Sequence, residues 1–167
     1  MKPSVREFFL QAKDWVAQNK SVVVVLALVL ALDRLTKVLS QTFLQAGPVK
    51  IFPFFQLHYV ENTGAAFGMM QGRNWLLIFV MLAIIGYILH SWKVLCGHGK
   101  LVQWGCVLIL SGALGNLYDR IVLGYVVDFL DFLVWPVFNV ADSAITLGGC
   151  LFVLSLFFSG KQKREAK

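Results

Sequence analysis

The sequence predicts an all-α membrane protein with four transmembrane helices, a small extracytoplasmic β-sheet and an N-terminal interfacial helix. Apolar composition is the first observation: 58% of the 167 residues are hydrophobic and the mean hydropathy is +0.72, which excludes an ordinary soluble domain. Long apolar runs are the second observation, because a bilayer core needs about 20 apolar residues per helix. The third is an uneven distribution of lysine and arginine, which orients the helices.

Four apolar segments are long enough to be spans. They are roughly Ser21–Ser40, Trp75–Trp92, Leu101–Leu117 and Phe138–Ser159. Together they occupy about half of the chain, so the sequence predicts one polytopic domain over residues 1–167. The first run follows a basic start and resembles a signal peptide. Charged residues follow it and no A-x-A site is evident, so we interpret it as an uncleaved span.

Basic residues concentrate at one side of the predicted membrane. Those before the first span, between the second and third spans and after the fourth are Lys2, Arg6, Lys13, Lys20, Lys93, Lys100, Lys161, Lys163, Arg164 and Lys167. The other two loops contain only Lys50, Arg73 and Arg120. The positive-inside rule therefore places both termini in the cytoplasm and the loops 41–74 and 118–137 outside. The basic tails indicate topology and contact with anionic lipid, not nucleic-acid binding.

Two segments outside the predicted spans have local sequence signals. Residues 1–20 place apolar side chains at near-helical spacing between charges, which predicts a helix on the inner membrane surface. Residues 55–61 alternate apolar and polar side chains, which predicts a strand, and Asn62-Thr63-Gly64 then predicts a turn. This first outer loop thus contributes a small sheet.

Small residues within the third and fourth spans predict close contact between helices. They are Ser111, Gly112, Gly115, Gly148 and Gly149. The cysteines Cys96, Cys106 and Cys150 have no metal-binding or disulfide spacing and are interpreted as small apolar residues.

Ionisable residues in the spans are the strongest functional signal, since a charge at a span centre costs about 2.5–3.5 kcal/mol on insertion scales. Asp33 and Lys37 are four residues apart on one helix face, which predicts either a self-contained ion pair or a role in orienting a reactive group. Asn116 and Arg120 are also four apart, with Asp119 beside them. This set predicts a polar cluster at the outer end of the third span, where an arginine would lower the pKa of nearby carboxyls.

Asp128 and Asp142 reach the same membrane face at similar depth, because one lies in the second outer loop and the other begins the fourth span. Two close carboxylates can share one proton, as in aspartic peptidases, and such a pair needs no metal or other cofactor. The spacing alone also fits a cation site or a proton relay. Asp131 is a weaker candidate for the same chemistry. The loop around Asp128, GYVVDFLDFLVWP, is itself apolar and is expected to lie in the membrane interface.

Two other classes of protein fit some of these observations. A small proton-coupled transporter would use Asp33, Asp128 and Asp142 as a relay, but the carboxylates cluster near one face and no internal repeat is evident. A lipid-binding scaffold would use the pair only as surface polarity. Ion flux in proteoliposomes distinguishes the first alternative, and tolerance of substitution at the pair distinguishes the second.

A series of motifs resembles that of bacterial lipoprotein signal peptidases, the signal peptidase II family. The motifs are DRLTK at 33–37, VENTGAAFG at 60–68, GNLYDR at 115–120, VVDF at 126–129 and FNVADSAI at 138–145. They follow the family's order and cover three spans and both outer loops. The resemblance implies an aspartic endopeptidase of the bacterial cytoplasmic (inner) membrane, acting as a monomer at the extracytoplasmic face. Its substrates would be diacylglyceryl-modified prolipoproteins, cut just before the lipidated cysteine.

The resemblance also implies roles for individual residues. Asp128 and Asp142 match the catalytic pair of the family. The residues that would line the site and hold substrate or the pair are Asn62, Gly64, Asn116, Arg120 and Asn139. Asp33 and Lys37, with Asp119, would support them. The segment between the two aspartates, which forms a flap over the family's site, is short in this chain, which bears on lid closure and substrate range.

Overall fold

The computed structural model describes residues 16–64 and 71–165 together with residues 10, 13 and 14, and side chains as far as Phe158. Its elements in chain order are α1 (Lys20–Phe43), β1 (Val49–Phe52), β2 (Phe55–Asn62), α2 (Asn74–His90), α3 (Trp92–Gly97), α4 (Lys100–Val122), β3 (Val126–Asp131) and α5 (Val140–Glu165). The mainly helical fold with a small sheet is confirmed. The interfacial helix predicted over residues 1–20 lies largely outside the described residues.

Helix α4 is central and contacts α1, α2, α3 and α5. Its apolar side chains pack with α2 in a core cluster of Ile85, Ile88, Val102, Cys106, Leu110, Ala113 and Leu117. Against α5 it approaches backbone to backbone, since a Cβ at Gly105 would lie 2.9 Å from the Gly148 carbonyl oxygen. A Cβ at Gly112 would collide with the carbonyl oxygen of Ala141. The predicted contacts at Gly112 and Gly148 are thus present, whereas a Cβ at Gly149 would meet no atom of the described residues within 4 Å.

Two of the described helices are long and apolar enough to cross a bilayer, Lys100–Val122 and Val140–Phe158. Helix α2 is apolar but has 17 residues, and α1 has 24 residues interrupted by Asp33, Arg34 and Lys37. Large apolar side chains remain exposed on the outer sides of α1, α2 and α5, among them Leu28, Phe79 and Phe157. Exposed apolar surface of this extent is typical of helices that lipid covers.

Helix α4 continues to Val122, beyond the predicted end at Leu117. The extra turn contains Asp119 and Arg120, which are respectively 0% and 4% exposed. Both find polar partners inside the protein, as described below, so the helix continues without exposing charge to lipid. The whole GNLYDR motif is therefore helical.

The three strands form one antiparallel sheet in the order β1-β2-β3. Strand β2 confirms the strand predicted for residues 55–61. The stretch around Asp128 differs from the prediction of an interfacial loop: β3 is a strand in which Val126, Val127, Asp128 and Phe129 are at most 6% exposed. A strand buried on both faces has apolar side chains on both, so VVDFLD shows no apolar–polar alternation that would indicate a strand.

Candidate active site

Strand β3 brings Asp128 into the interior, where the residue is 1% exposed. Val60 lies opposite it on β2, and Asn62 reaches its carboxylate diagonally from the same strand. Asn62 Nδ2 donates to Asp128 Oδ2 at 2.8 Å, while Asn62 Oδ1 accepts from the Gly64 backbone N–H at 3.0 Å. The second bond fixes the amide so that its NH2 group faces the carboxylate.

Asp142 belongs to the first turn of α5, and a reciprocal cap with Asn139 positions it. Asn139 Oδ1 accepts from the Asp142 backbone N–H at 2.9 Å, and Asp142 Oδ2 accepts from the Asn139 backbone N–H at 3.2 Å. This arrangement is a capping box, built here from asparagine and aspartate. The other carboxylate oxygen, Oδ1, accepts from Asn116 Nδ2 at 2.8 Å.

Asn139 connects the two aspartates directly. Its backbone N–H binds Asp142, and its Nδ2 donates to Asp128 Oδ1 at 2.7 Å. The same Nδ2 lies 3.2 Å from both Asn116 Oδ1 and the Val127 carbonyl oxygen. Because Asn139 is 0% exposed and bonded through both its side chain and its backbone, it holds both carboxylates in one fixed relation.

Burial is the main cause of the altered acidity of Asp128. Together with the nearby Asp142 carboxylate, it raises the pKa of Asp128 from 3.8 to about 7. The hydrogen bonds from Asn62 and Asn139 and the charge of Lys37 act in the opposite direction but do not cancel the increase. A carboxyl with this pKa can hold a proton near neutral pH.

Behind the pair lies an ionic cluster of Asp33, Arg34, Lys37 and Asp119, of which all but the half-buried Arg34 are buried. Lys37 Nζ contacts Asp33 Oδ2 and Asp119 Oδ2, each at 2.9 Å, and donates to Asn116 Oδ1 at 2.9 Å. These three contacts use the three donors of the ammonium group. Arg34 Nη1 binds Asp119 Oδ1 at 2.7 Å. The predicted ion pair between Asp33 and Lys37 is therefore part of a larger cluster.

The ionic cluster also holds the elements that carry the two aspartates. Asp33 Oδ1 accepts from the backbone N–H of Ala141, next to Asp142, at 2.9 Å. Asp119 Oδ2 accepts from the backbone N–H of Val127, next to Asp128, at 3.3 Å. A Cβ at Gly115 would lie 2.7 Å from Asp33 Oδ2, so only glycine leaves room for this carboxylate against α4.

Arg120 has different partners from those its sequence position predicts. Among the described ion pairs, none joins it to a carboxylate. Its Nη2 donates to the Gly64 carbonyl oxygen at 2.6 Å and its Nη1 to Asn74 Oδ1 at 3.1 Å. The neighbouring Asp119 is instead bound by Lys37 and Arg34, which approach from α1. The buried Nε of Arg120 has no partner within the described part of the chain.

A cavity of about 700 Å³ opens beside the aspartate pair. Its polar lining comes mainly from Asn62, Asn116, Arg120, Asp128 and Asp142. The apolar lining comes from α2, α5 and the segment before α5: Leu77, Met81, Trp135, Pro136, Val137, Phe138, Ile145 and Leu147. The cavity thus places two carboxylates at one end of an apolar cleft between helices, a setting typical of binding sites.

The structure brings together every residue that the sequence singles out except Asp131. That carboxylate is held by Gln56 and by the Leu133 backbone, outside the cavity lining. Sequence reasoning missed Arg34 and Asn74. Arg34 follows Asp33 within DRLTK, and its charge in an apolar run was an available signal. No signal in the sequence indicates Asn74, because its contact with Arg120 joins residues that are 46 positions apart.

Two carboxyl groups fixed by one asparagine, of which Asp128 can hold a proton near neutral pH, are suited to general acid–base chemistry on a water molecule. No group of three or more potential metal-ligating side chains occurs among the residues with described placement. Hydrogen bonds and ion pairs also connect the site residues to α1, α4, α5 and the sheet.

Comparison with known proteins gives a consistent result. The family model described as signal peptidase (SPase) II matches residues 25–158. The lipoprotein signal peptidase of Halothermothrix orenii is 42% identical over 139 residues, which cover 81% of this chain and 94% of that protein. That of Desulfitobacterium hafniense is 43% identical over 145 residues, covering 84% and 96%.

Solved structures resemble the fold as well. A bacterial membrane enzyme determined by the in meso method at 2.3 Å resolution superposes with a TM-score of 0.82 at 26% identity. The match covers 87% of this chain and 92% of that one. A second bacterial membrane enzyme, at 1.9 Å resolution, gives a TM-score of 0.73 at 26% identity, and this match covers 83% and 93% of the two chains.

Proposed function

The chain belongs to the signal peptidase II family, and from that premise we propose that Asp128 and Asp142 are its catalytic pair. Membership makes the chain an aspartic peptidase of bacterial membranes that removes signal peptides from prolipoproteins. The observation that supports the assignment of the pair is the double contact of Asn139, which binds one carboxylate by its side chain and the other by its backbone. Both carboxylates line the same cavity.

The pair holds one proton in the resting enzyme, and that proton resides on Asp128. Asp142 lies at the N-terminus of α5, where the helix dipole favours a negative charge. Burial favours the neutral form of either carboxyl, so the helix dipole, which acts on Asp142, leaves the proton on Asp128. With Asp128 neutral, the carboxylates of Asp33, Asp119 and Asp142 balance the cations of Arg34, Lys37 and Arg120, so the site and the ionic cluster together carry no net charge.

Hydrolysis then proceeds in two proton-balanced steps. Asp142 accepts a proton from water as the water oxygen attacks the scissile carbonyl carbon, while Asp128 gives its proton to the carbonyl oxygen. The resulting tetrahedral diol collapses when Asp142 passes its proton to the leaving nitrogen and Asp128 recovers one from a hydroxyl. The C–N bond breaks, and the pair returns to its initial state with one proton.

The cavity suits a lipid-modified peptide. Arg120 lines the cavity, and its buried Nε–H has no partner among the described residues, so the guanidinium retains a donor for a substrate carbonyl oxygen if it shifts on binding. Leu77, Met81 and Leu147 provide apolar surface for acyl chains and the signal-peptide helix. The substrate is accordingly a diacylglyceryl-modified prolipoprotein, cut just before the lipidated cysteine.

Membership of the signal peptidase II family also supports a proposal for the membrane topology. All four long helices span the bacterial cytoplasmic (inner) membrane, both termini are cytoplasmic and the pair lies at the extracytoplasmic end. Helix α1 tolerates the membrane because Asp33 and Lys37 are at most 2% exposed and the half-buried Arg34 is paired with Asp119. Helix α2 extends about 26 Å at the usual helical rise, close to the bilayer core. The enzyme is a single-domain monomer that contacts membrane lipid and substrate, and uses no cofactor or nucleic acid.

A cleavage assay in detergent tests the reaction. The substrate is a prolipoprotein with or without the diacylglyceryl group, and products are mapped by mass spectrometry. We expect one cut, immediately before the cysteine, on the lipidated form only. The Asp142→Asn protein, purified identically, controls for contaminating peptidases. Cleavage elsewhere, or equal cleavage of both substrates, would show that the proposed specificity is wrong.

A further inference from the structure

One wall of the cavity is a loop that the mechanism above does not use. We call residues 132–137, between β3 and Phe138, the wall loop. Trp135, Pro136 and Val137 line the cavity beside the aspartate pair. The base of the loop is closed by an isolated bridge between Leu130 and Phe138, in which Leu130 N–H donates to the Phe138 carbonyl at 2.8 Å. The position of this loop therefore contributes to the shape of the cleft.

The wall loop contains a backbone conformation that needs support. Leu133 has a φ of 65°, and it alone among the described non-glycine residues has a positive φ. This left-handed region is unfavourable for residues that carry a Cβ, and leucine has no side-chain group that bonds locally to stabilise it. Some other contact must hold the loop in this conformation.

Asp131 provides that contact. Its Oδ1 accepts from the Leu133 backbone N–H at 2.8 Å, and its Oδ2 accepts from Gln56 Nε2 at 2.7 Å. Gln56 lies directly opposite Asp131 on β2, so the second bond anchors the carboxylate to the sheet. His58 Nδ1 approaches Oδ2 at 3.5 Å from the same strand. The Asp131 side chain thus ties the wall loop to the sheet.

The acidity of Asp131 distinguishes it from the catalytic pair. Partial burial raises its pKa, but the bonds from Gln56 and the Leu133 backbone and the contact with His58 outweigh burial, so the pKa of Asp131 is lowered overall. Asp131 is therefore ionised at neutral pH, with both oxygens occupied. Such a group is suited to holding a loop, not to donating a proton.

We propose that Asp131 is a positioning residue that fixes the wall loop through Gln56 and Leu133, and so sets the affinity for the prolipoprotein without taking part in the chemical step. The proposal rests on the proposed function of Asp128 and Asp142. Loss of the contact releases Leu133 from its left-handed conformation and reduces the fraction of enzyme with a correctly shaped cleft. A reduced competent fraction weakens apparent binding in proportion.

Steady-state cleavage of a synthetic lipopeptide with an S-diacylglyceryl cysteine tests this proposal. We expect Asp131→Ala to raise KM about tenfold, which corresponds to about 1.4 kcal/mol of binding, with kcat within about twofold of wild type. In the double variant Asp131→Ala/Leu133→Gly, KM should return to within about threefold of wild type, because glycine adopts a positive φ without support. A residue needed only for stability would not be rescued in this way.

Two controls keep the test decisive. Asp131→Asn retains an oxygen acceptor for the Leu133 N–H, and its NH2 group donates to Gln56 once the Gln56 amide turns its oxygen toward it, so KM should stay within about twofold of wild type. Gln56→Ala removes the anchor on β2 while leaving Asp131 in place, and should raise KM about threefold even if Asp131→Ala fails to fold. The proposal is overturned if Gln56→Ala leaves KM unchanged, if Leu133→Gly gives no rescue, or if Asp131→Ala lowers kcat as Asp128→Asn does. The variants of Asp128 and Asp142 report separately on the proposed function.

Discussion

At the scale of single residues, Asn139 and Lys37 explain how two carboxylates remain close inside an apolar protein. Asn139 bonds to both aspartates through different atoms. Lys37 reaches the pair through Asn116, whose carbonyl oxygen accepts from Lys37 and whose NH2 group donates to Asp142. The carboxylates are therefore held by hydrogen bonds from groups within the protein, which is the condition for stable buried polarity.

The raised pKa of Asp128 gives a prediction for pH dependence. The folded-state pKa of about 7 exceeds the ordinary value of 3.8, so the folded protein binds a proton that the unfolded chain releases. The stabilisation from this proton is fully present below pH 3.8 and is lost as pH rises through about 7. Thermal unfolding in detergent should therefore show a Tm that falls more steeply between about pH 4 and pH 7 for wild type than for Asp128→Asn. Over that range wild type loses up to about 1.4 kcal/mol of unfolding free energy for each pH unit.

Activity should follow the same titration. We expect kcat/KM to decrease above about pH 7 as the pair loses its shared proton, since Asp128 then has none to give to the carbonyl oxygen. The measurement is a pH profile on lipidated substrate, with the Asp131→Asn protein as control because Asp131 is outside the pair. A profile that is flat to about pH 9 would contradict a protonated Asp128 as the acid.

Lys37 allows a direct test of the ionic cluster. Replacing it with methionine leaves Asp33 and Asp119 buried without their shared cation, and should lower the free energy of unfolding by about 3–5 kcal/mol. Adding Asp33→Asn removes one uncompensated charge and should restore part of the loss. A double-mutant cycle measured by thermal unfolding checks this coupling. Strictly additive effects of the two substitutions would mean that the ion pair contributes nothing to the fold.

At the scale of elements, the position of Asp142 depends on how closely α5 approaches α4. A Cβ at Gly112 would meet the Ala141 carbonyl oxygen and lie 2.7 Å from Ile145 Cγ1. Ala141 precedes Asp142, so the first turn of α5 has to move if Gly112 gains a side chain. The small residues of α4 thus serve the active site as well as helix packing.

Gly112→Ala should therefore affect both stability and catalysis. We expect a loss of about 1–3 kcal/mol in unfolding free energy from overpacking, and a fall in kcat because Asp142 is displaced from Asn116 and Asn139. Gly149→Ala on α5 is the matched control, since no atom of the described residues lies within 4 Å of its Cβ position. Equal behaviour of the two variants, by unfolding and by cleavage assay, would contradict a tight contact at Gly112.

At the scale of the whole molecule, the uneven distribution of lysines and the location of the cavity indicate the same orientation of the protein in the membrane. Lys20 and Lys100 begin α1 and α4, whereas the aspartate pair lies toward the opposite ends of these helices. Since lysine-rich ends remain in the cytoplasm, the pair is expected to face outward. This orientation is part of the proposed function and is open to a direct labelling test.

Single cysteines introduced into a variant without Cys96, Cys106 and Cys150 can report that orientation. Val134→Cys lies on the wall loop, where the native residue is 94% exposed, and should react with a membrane-impermeant maleimide in intact spheroplasts. Lys100→Cys, at the other end of the molecule, should react only after the membrane is permeabilised. The reverse labelling pattern would place the active site in the cytoplasm.

The sequence predicts the helices of this fold better than its strands. The apolar runs predict the helices, and the motif residues predict the site, because polar groups in lipid are rarely without a role. Strand β3 was not predicted, since burial on both faces removes the alternation that reveals a strand. The partners of Arg120 and the Asp131–Gln56 contact could not be predicted either, because residues 46 to 75 positions apart meet only through the fold.

The catalytic role of Asp128 and Asp142 is tested most directly by comparing cleavage by wild type, Asp128→Asn, Asp142→Asn and Asp131→Asn. All four proteins would be purified in detergent, checked for folding by thermal unfolding and assayed on a diacylglyceryl-modified prolipoprotein. Single-turnover rates should fall by at least about a thousandfold in the first two variants, since each loses one member of the acid–base pair, and remain near wild type in Asp131→Asn. Cleavage at the wild-type rate by either Asp128→Asn or Asp142→Asn would contradict the account.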